Sequence, residues 1–332
     1  MAGEFRAASF RAASDESFGT RSYDPTMRRR ANIVLLALLA AGMTTPAVAG
    51  PALADTTRPG VQIKLLDRGA TPRSRLRLTP NGTPQAVVVT LSTEVTQSGA
   101  SSQHVGPLQI RTVVSFAPSS TTTNGTIRVP YAYGAFRLLD TSEASPAELS
   151  AIRDAFTQFE GFGGQLTLSP TGAVISNTYS IPPTVNTTVR NLLQQLSGQS
   201  DQLGVPLPTQ AVGVGARWRG TTHLVVAGIS LTQTYDYLLR SRDGARLDVD
   251  VRYTQTAGSQ RVTLPGVPAG TNVSVAGYRI AGAGSSVADL SRVAAVSGHV
   301  AAQGVQRFRV EGGGQSQTIN QQLRLSVDIA AG

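Results

Sequence analysis

Alternating apolar and polar residues run through most of the chain after residue 55 and predict antiparallel β-strands. The clearest pair of strands surrounds Asp243-Gly244, a dipeptide that favours a tight hairpin turn, with alternation on both arms over residues 229–258. A second hairpin is predicted around Pro170-Thr171-Gly172 and a third around Pro80-Asn81-Gly82. Strands with one apolar and one polar face are typical of antiparallel sheets.

The third hairpin is predicted to join a strand at Ser74–Thr79 to a strand at Gln85–Gln97. Gly282–Val287 begins like a dinucleotide-binding fingerprint but lacks the third glycine and the strand-to-helix context. We therefore predict that it is a turn. The same period-two pattern predicts further strands at Leu108–Phe116, Ala132–Leu139, Val293–Ala301, Val305–Glu311 and Gln321–Ala330.

Two segments break this period and predict helices. In the first, Ser145 is placed as the N-cap, Pro146 occupies the first helical position and Glu148 completes a capping box, so a helix is predicted over residues 146–160. A second helix is predicted over residues 185–196 from an apolar stripe at a spacing of three and four residues.

These elements predict a mainly β (α+β) fold. We expect a single β-rich domain over residues 55–332, with one large curved antiparallel sheet, or two related sheets, packed on the two central helices. The composition agrees with a sheet that has many turns, because 34 glycines and 18 prolines accompany an aromatic content of only 5%.

An export signal is predicted over residues 27–54. Arg28, Arg29 and Arg30 precede an apolar stretch, Ile33–Met43, which is too short to span a membrane comfortably but fits a secretory signal. Small-residue exits predict cleavage after Ala49 or after Ala54. A buried core helix and an uncleaved anchor are the alternatives. The signal predicts an exported protein, in the periplasm, at the cell surface or secreted, that contacts the membrane only through this removable segment.

Residues 1–26 contain a tandem repeat, Phe5–Ser9 and Phe10–Ser14, and no amphipathic stripe. This segment is predicted to be disordered. Our hypothesis is that translation begins at Met27.

The sequence contains none of the common catalytic or metal-binding motifs. It has no cysteine, which excludes disulfides, thiolate metal sites and a cysteine nucleophile. His104, His223 and His299 do not have metal-ligand spacing, and no serine-hydrolase elbow, P-loop or His-Glu-x-x-His motif occurs. We therefore predict no catalytic residue, no cofactor and no metal.

Arginines recur two residues apart, which places each set on one face of a strand. The formal net charge is +9, and Lys64 is the single lysine among the 29 basic residues. If the strands are neighbours, the guanidinium groups form a basic face for an anionic partner; the alternative is an ordinary solvated face. No aromatic residues interleave with them, so nucleic acid is not expected as a partner. The candidate residues are Arg73, Arg75, Arg77, Arg217, Arg219, Arg240, Arg242, Arg307 and Arg309.

Asp248 and Asp250 lie two residues apart and are candidate paired carboxylates. A solvated face is the favoured interpretation, because Arg252 continues the same face and can neutralise them. A hydrolase that works through this pair or through Glu160 is therefore only an alternative.

Two stretches resemble a family of exported bacterial β-rich proteins of unknown function. Gly161–Ser176 follows a predicted helix with a strand, a Pro-x-Gly turn and a strand, and in Pro206–Thr222 a proline pair precedes a Val-Gly and Trp element. The resemblance covers roughly residues 61–255 and implies a fold more than a function.

The leading prediction is an exported, non-enzymatic envelope or secreted protein. It is expected to bind an apolar, lipid-like ligand or an anionic envelope polymer. A structural subunit of a surface or secretion assembly and the carboxylate-dependent hydrolase are the alternatives.

Overall fold

The computed structural model describes residues 61–99, 102–140, 161–180, 204–226, 228–262, 271–312 and 314–332, together with residues 150, 153, 154, 156 and 157. The predicted signal with Ala49 and Ala54, the segment before it and the helix predicted at 185–196 lie outside these residues. Most of the helix predicted at 146–160 also lies outside them, and the five residues described there have helical backbone. Within the described residues, no helix is both long enough and apolar enough to span a membrane.

One antiparallel sheet contains all fifteen described strands, which confirms the predicted mainly β fold and favours one sheet over two. The strands are β1 (Gln62–Asp67), β2 (Gln85–Ser98), β3 (Gln103–Phe116), β4 (Ser120–Thr121), β5 (Ile127–Tyr133), β6 (Arg137–Asp140), β7 (Gly163–Leu168), β8 (Val174–Ser180), β9 (Arg217–Val226), β10 (Ile229–Asp243), β11 (Arg246–Ala257), β12 (Gln260–Val262), β13 (Asn272–Asp289), β14 (Ser297–Gly312) and β15 (Gln315–Ala331).

The strand order joins the two halves of the chain. From one edge to the other it is β1-β9-β10-β11-β13-β14-β15-β2-β3-β5-β7-β8, while β12 pairs with β13, β4 with β5 and β6 with β3. The pairing of β15 with β2 brings the C-terminal strands beside the N-terminal ones. The hairpins predicted around Asp243-Gly244 and Pro170-Thr171-Gly172 are confirmed as β10–β11 and β7–β8.

A short piece of chain links strands that are far apart in the sheet order, which shows that the sheet curves strongly. Arg242, at the end of β10, donates a hydrogen bond from Nη1 to Ser74 Oγ. Four residues later, Leu78 N donates to the oxygen of Pro170, in the β7–β8 turn, at 2.8 Å. In a flat sheet β10 and β7 would be about 38 Å apart, at about 4.8 Å per strand. Four residues reach at most about 14 Å.

Four predicted strands differ in the structure. Ser74–Thr79 is not a strand, since only Ser74 forms a bridge, with Val212, and the third predicted hairpin is therefore wrong. The residues of Ala132–Leu139 are divided between β5 and β6. Val293–Ala301 and Val305–Glu311 are replaced by the single strand β14, which begins only at Ser297.

Gly282–Val287 belongs to β13, so the predicted turn is wrong. A Cβ at Gly284 would lie 1.8 Å from the backbone oxygen of His299 on β14. Glycine is required here because the two strands approach too closely for any side chain. The glycines that suggested a turn are therefore a sign of close strand packing.

One face of the sheet, called here the inner face, carries the core. Its apolar side chains form three clusters, and Leu78 packs against two of them. Trp218 is fully buried and stacks on Tyr237 with ring centroids 5.4 Å apart, while its Nε1 donates to the oxygen of Pro206 at 2.8 Å. The opposite, outer face carries most of the charged residues.

Candidate functional site

The structure brings seven of the nine candidate arginines to one end of the sheet, where all of them are exposed. Arg217 and Arg219 lie at the start of β9, and Arg240 and Arg242 lie at the end of β10. The remaining three flank Ser74 and Leu76; Ser74 contacts Arg242, and Leu76 packs in the cluster of Trp218. We call this set the basic end; it comprises Arg73, Arg75, Arg77, Arg217, Arg219, Arg240 and Arg242.

Arg307 and Arg309 lie at the other end of the strands. Starting from Leu238, the partner of Arg217, the register runs through Asp250 and Ser285 to His299 on β14. Arg307 is eight residues beyond His299, about 26 Å along an extended strand. The nine arginines therefore do not form one continuous face.

Three of the candidate arginines are neutralised by carboxylates. Arg219 makes two hydrogen bonds to Asp236, at 2.6 and 3.0 Å, and the hydrogen bond and charge of that carboxylate raise the pKa of Arg219 above its ordinary value. Arg240 Nε lies 2.6 Å from Asp250 Oδ2. Arg309 Nε lies 2.8 Å from Glu311 Oε1. These pairs are exposed, so they contribute little to stability, but their charges are already matched.

Five arginines of the basic end have no carboxylate partner within the described residues. Arg73 donates from Nε and Nη2 to the oxygen of Gly69, at 2.9 and 2.6 Å, and Arg242 donates to the oxygen of Gly244 and to Ser74. The side chains of Arg75, Arg77 and Arg217 make no hydrogen bond or ion pair within the described residues. Carbonyl and hydroxyl oxygens do not neutralise a guanidinium. These five arginines outnumber the carboxylates described beside them, which are Asp67, Asp243 and Asp248.

The candidate carboxylates Asp248 and Asp250 do not have the predicted Arg252 as their partner. Asp250 is held by Arg240, and Asp248 Oδ2 accepts a hydrogen bond from Ser241 Oγ at 2.5 Å. The predicted neutralising residue, Arg252, is instead in register with Asp236. Arg240 reaches Asp250 because the register of β10 is irregular between Leu239 and Ser241.

Neither a metal site nor the third candidate carboxylate is found among the described residues. No three His, Asp or Glu side chains converge there to hold a metal ion. Glu160 lies outside the described residues.

A buried row of polar side chains crosses the inner face and was not predicted from the sequence. Each member is at most 6% exposed. Successive members lie on neighbouring strands, from β10 through β11, β13, β14 and β15 to β2. We call this row the glutamine belt; it comprises Gln233, Gln255, Tyr278, Gln306, Gln321 and Gln97.

Hydrogen bonds link the belt from strand to strand. Tyr278 Oη donates to Gln255 Oε1 at 2.8 Å, and Gln255 Nε2 donates to Gln233 Oε1 at 3.2 Å. On the other side, Gln321 Nε2 donates to Gln97 Oε1 at 2.9 Å. Burial raises the pKa of Tyr278 well above its ordinary value, and a hydrogen bond from Gln306 offsets part of that rise. Tyr278 is therefore a neutral donor at ordinary pH.

Part of the belt could have been found by extending the alternation. Gln97 lies two residues after Val95, and Gln321 two residues before Leu323, so both fall on the inner face. Gln97 and Gln321 are directly opposite each other because of the strand order and the register, and the local sequence does not contain this information.

A small cavity lies where the segments around Leu78, Val205, Leu290 and Val293 meet. Its volume is about 20 Å³, enough for about one water molecule. Arg292 lines this cavity, and its Nε is buried without a hydrogen-bond partner. This cavity is too small for a lipid chain.

No protein-family model matches the chain, and no curated protein matches its sequence. The resemblance carried by Gly161–Ser176 and Pro206–Thr222 therefore stays a prediction.

Proposed function

We propose that this protein is an exported, non-enzymatic protein that binds an anionic envelope polymer through the basic end of the sheet. The observation that carries the proposal is a group of five exposed arginines that have no carboxylate partner in the described part of the chain, Arg73, Arg75, Arg77, Arg217 and Arg242. Export itself is proposed from the sequence of residues 27–54.

The chemistry of these groups suits a polymer that carries many phosphates or carboxylates. A guanidinium presents a planar set of donors that can bind two oxygens of such a group at once. Arg73 and Arg242 are held in place by backbone oxygens, whereas the guanidinium groups of Arg75, Arg77 and Arg217 have no partner among the described residues and are available to a ligand. Several such contacts together would give binding that weakens as salt is added.

The other predicted functions receive less support. For an apolar ligand, the described inner face packs into three clusters, and the cavity beside Arg292 has room for about one water molecule. For a carboxylate-dependent hydrolase, the charge of Asp250 is already matched by Arg240. A structural subunit of a surface assembly remains an alternative without a specific supporting contact.

We also propose that residues 146–160 and 185–196 form two helices that pack on the sheet. For the first, the helical backbone of its described residues is one support. The other is the contact of Phe156 with Phe136, whose ring centroids lie 5.7 Å apart. The second helix rests on sequence periodicity alone.

The proposed function is tested with two variants that each remove three charges. The first replaces Arg75, Arg77 and Arg217 with Ala; the matched control replaces Arg279, Arg307 and Arg309, exposed residues at the other end of the sheet. The probe is a soluble phosphodiester polymer, with polyglutamate as the carboxylate comparison, and binding is followed by calorimetry over a series of salt concentrations.

We expect the basic-end variant to bind at least about tenfold more weakly and with a shallower dependence on salt, while the control stays within about threefold of the wild type. Equal losses in the two variants would mean that only net charge matters. Binding that does not respond to salt, or no binding, would refute the proposal.

A further inference from the structure

The hydrogen bonds of the glutamine belt run in opposite directions away from one strand pair, β14–β15. On the β14 side, Tyr278, the register partner of Gln306, donates from Oη to Gln255. On the β15 side, Gln321 donates to Gln97. The amide nitrogen of Gln321 therefore points away from Gln306.

This divergence leaves two amide oxygens facing no donor. Gln306 Oε1 and Gln321 Oε1 are buried and have no hydrogen-bond partner within the described residues. The two residues are direct partners in the β14–β15 register, and each is 1% exposed. Buried amide oxygens in proteins nearly always accept a hydrogen bond, so the pair calls for a donor that the described residues do not supply.

We infer that Gln306 and Gln321 form a buried binding site for one small hydrogen-bond donor, water or ammonium, that donates to both amide oxygens at once. This inference is independent of the proposed function. It concerns the inner face of the sheet, whereas the basic end is exposed.

The geometry limits the ligand to a single heavy atom. Directly paired residues of an antiparallel sheet have Cβ atoms only about 4.5–5.5 Å apart, so a larger amine or alcohol does not fit between the two amides. A hard metal ion such as calcium takes about six to eight oxygen ligands, and two amide oxygens do not provide them. Water and ammonium both carry two or more hydrogens on one small atom.

A different arrangement of the amides would remove the need for a ligand. If the amides of Gln321 and Gln97 were both rotated by half a turn, Gln321 Nε2 could donate directly to Gln306 Oε1. The belt would then run in one direction across all six strands. The experiment must separate this dry arrangement from the occupied site.

The test compares the wild type with a variant carrying Gln306→Met and Gln321→Met, and with Gln322→Met as the matched control on the same strand. Gln322 is exposed on the outer face and next to Gln321 in the chain. Oxygen-17 magnetic relaxation dispersion counts long-lived internal waters in each protein. Thermal midpoints in ammonium chloride and in sodium chloride at equal ionic strength report on ammonium.

If the ligand is water, the double variant loses one long-lived internal water relative to the wild type and Gln322→Met loses none. If it is ammonium, ammonium chloride raises the thermal midpoint of the wild type and of Gln322→Met, but not that of the double variant. No difference in either measurement overturns the inference. Should the double variant fail to fold, a neutron structure of the wild type decides: a scatterer between the two oxygens supports the site, and a direct Gln321–Gln306 hydrogen bond refutes it.

Discussion

Replacing Gln255 with Met tests whether the glutamine belt stabilises the sheet. Gln255 is completely buried; it donates to Gln233 Oε1 and accepts from Tyr278 Oη. Methionine has nearly the same length but cannot replace either hydrogen bond. The substitution therefore leaves Gln233 Oε1 and the Tyr278 hydroxyl hydrogen without partners in the interior.

The size of the effect follows from those two groups. A buried polar group that loses its partner costs about 1–3 kcal/mol, so two of them cost about 2–6 kcal/mol. Burying a thioether in place of an amide returns about 1–2 kcal/mol. We expect the free energy of unfolding to fall by about 3 kcal/mol, a large part of the about 5–15 kcal/mol typical of a domain. Gln303→Met, at an exposed position of β14, should change it by less than about 0.5 kcal/mol.

Urea unfolding followed by tryptophan fluorescence measures this difference, because Trp218 is the single tryptophan and is fully buried. The double variant Gln233→Met and Gln255→Met provides a second check. It removes both partners of one hydrogen bond, so its loss should be smaller than the sum of the two single losses. A loss for Gln255→Met no larger than that of Gln303→Met would refute the idea that the belt is stabilising.

Two further predictions concern β13 and its C-terminal end. Gly284→Ala should lower the free energy of unfolding by at least about 2 kcal/mol, because the new Cβ meets the backbone of His299; Gly258→Ala, with open space around it, should change it by less than about 0.5 kcal/mol in the same urea assay. Asp289 accepts hydrogen bonds from the hydroxyl and amide of Ser291, which lower the pKa of its carboxyl, so it stabilises the fold above pH about 4 and loses that effect as the pH falls through its folded-state pKa. Asp289→Asn should therefore have a lower thermal midpoint than the wild type at pH 7 and an equal one near pH 2; a difference that persists at pH 2 would contradict this.

The turn residues were enough to predict two of the three hairpins, β10–β11 and β7–β8. The hairpin at Asp243-Gly244 forms because Gly244 adopts a positive φ of 55° between two alternating arms. The strand predicted at Ser74–Thr79 failed although its alternation is real. Leu76 is buried and the arginines on either side of it are exposed, but the segment crosses the end of the sheet without a partner strand. The alternation of apolar and polar residues indicates which side of a segment is buried, but it does not indicate whether the segment pairs with another strand.

The candidate site depended on information that lies far apart in the sequence. Gln321 and Gln97 are 224 residues apart, and only the β15–β2 pairing makes them neighbours. The same is true of the arginines. Spacing two placed Arg307 and Arg309 on one face correctly, but the register that separates them from Arg217 runs through four strand pairs.

The belt also suggests why polar side chains occupy an otherwise apolar face. A slip of one residue between two strands exposes the apolar side chains, so the alternation alone prevents it. A slip of two residues keeps every side chain on its own face and is not prevented in this way. Between β10 and β11, such a slip would place Gln233 opposite Tyr253 or Ala257 instead of Gln255, its hydrogen-bond partner. A displaced amide would lose its hydrogen bond at a cost of about 1–3 kcal/mol, and the same penalty applies between β15 and β2, where Gln321 is hydrogen-bonded to Gln97. The glutamines therefore select one register among those that the apolar pattern allows.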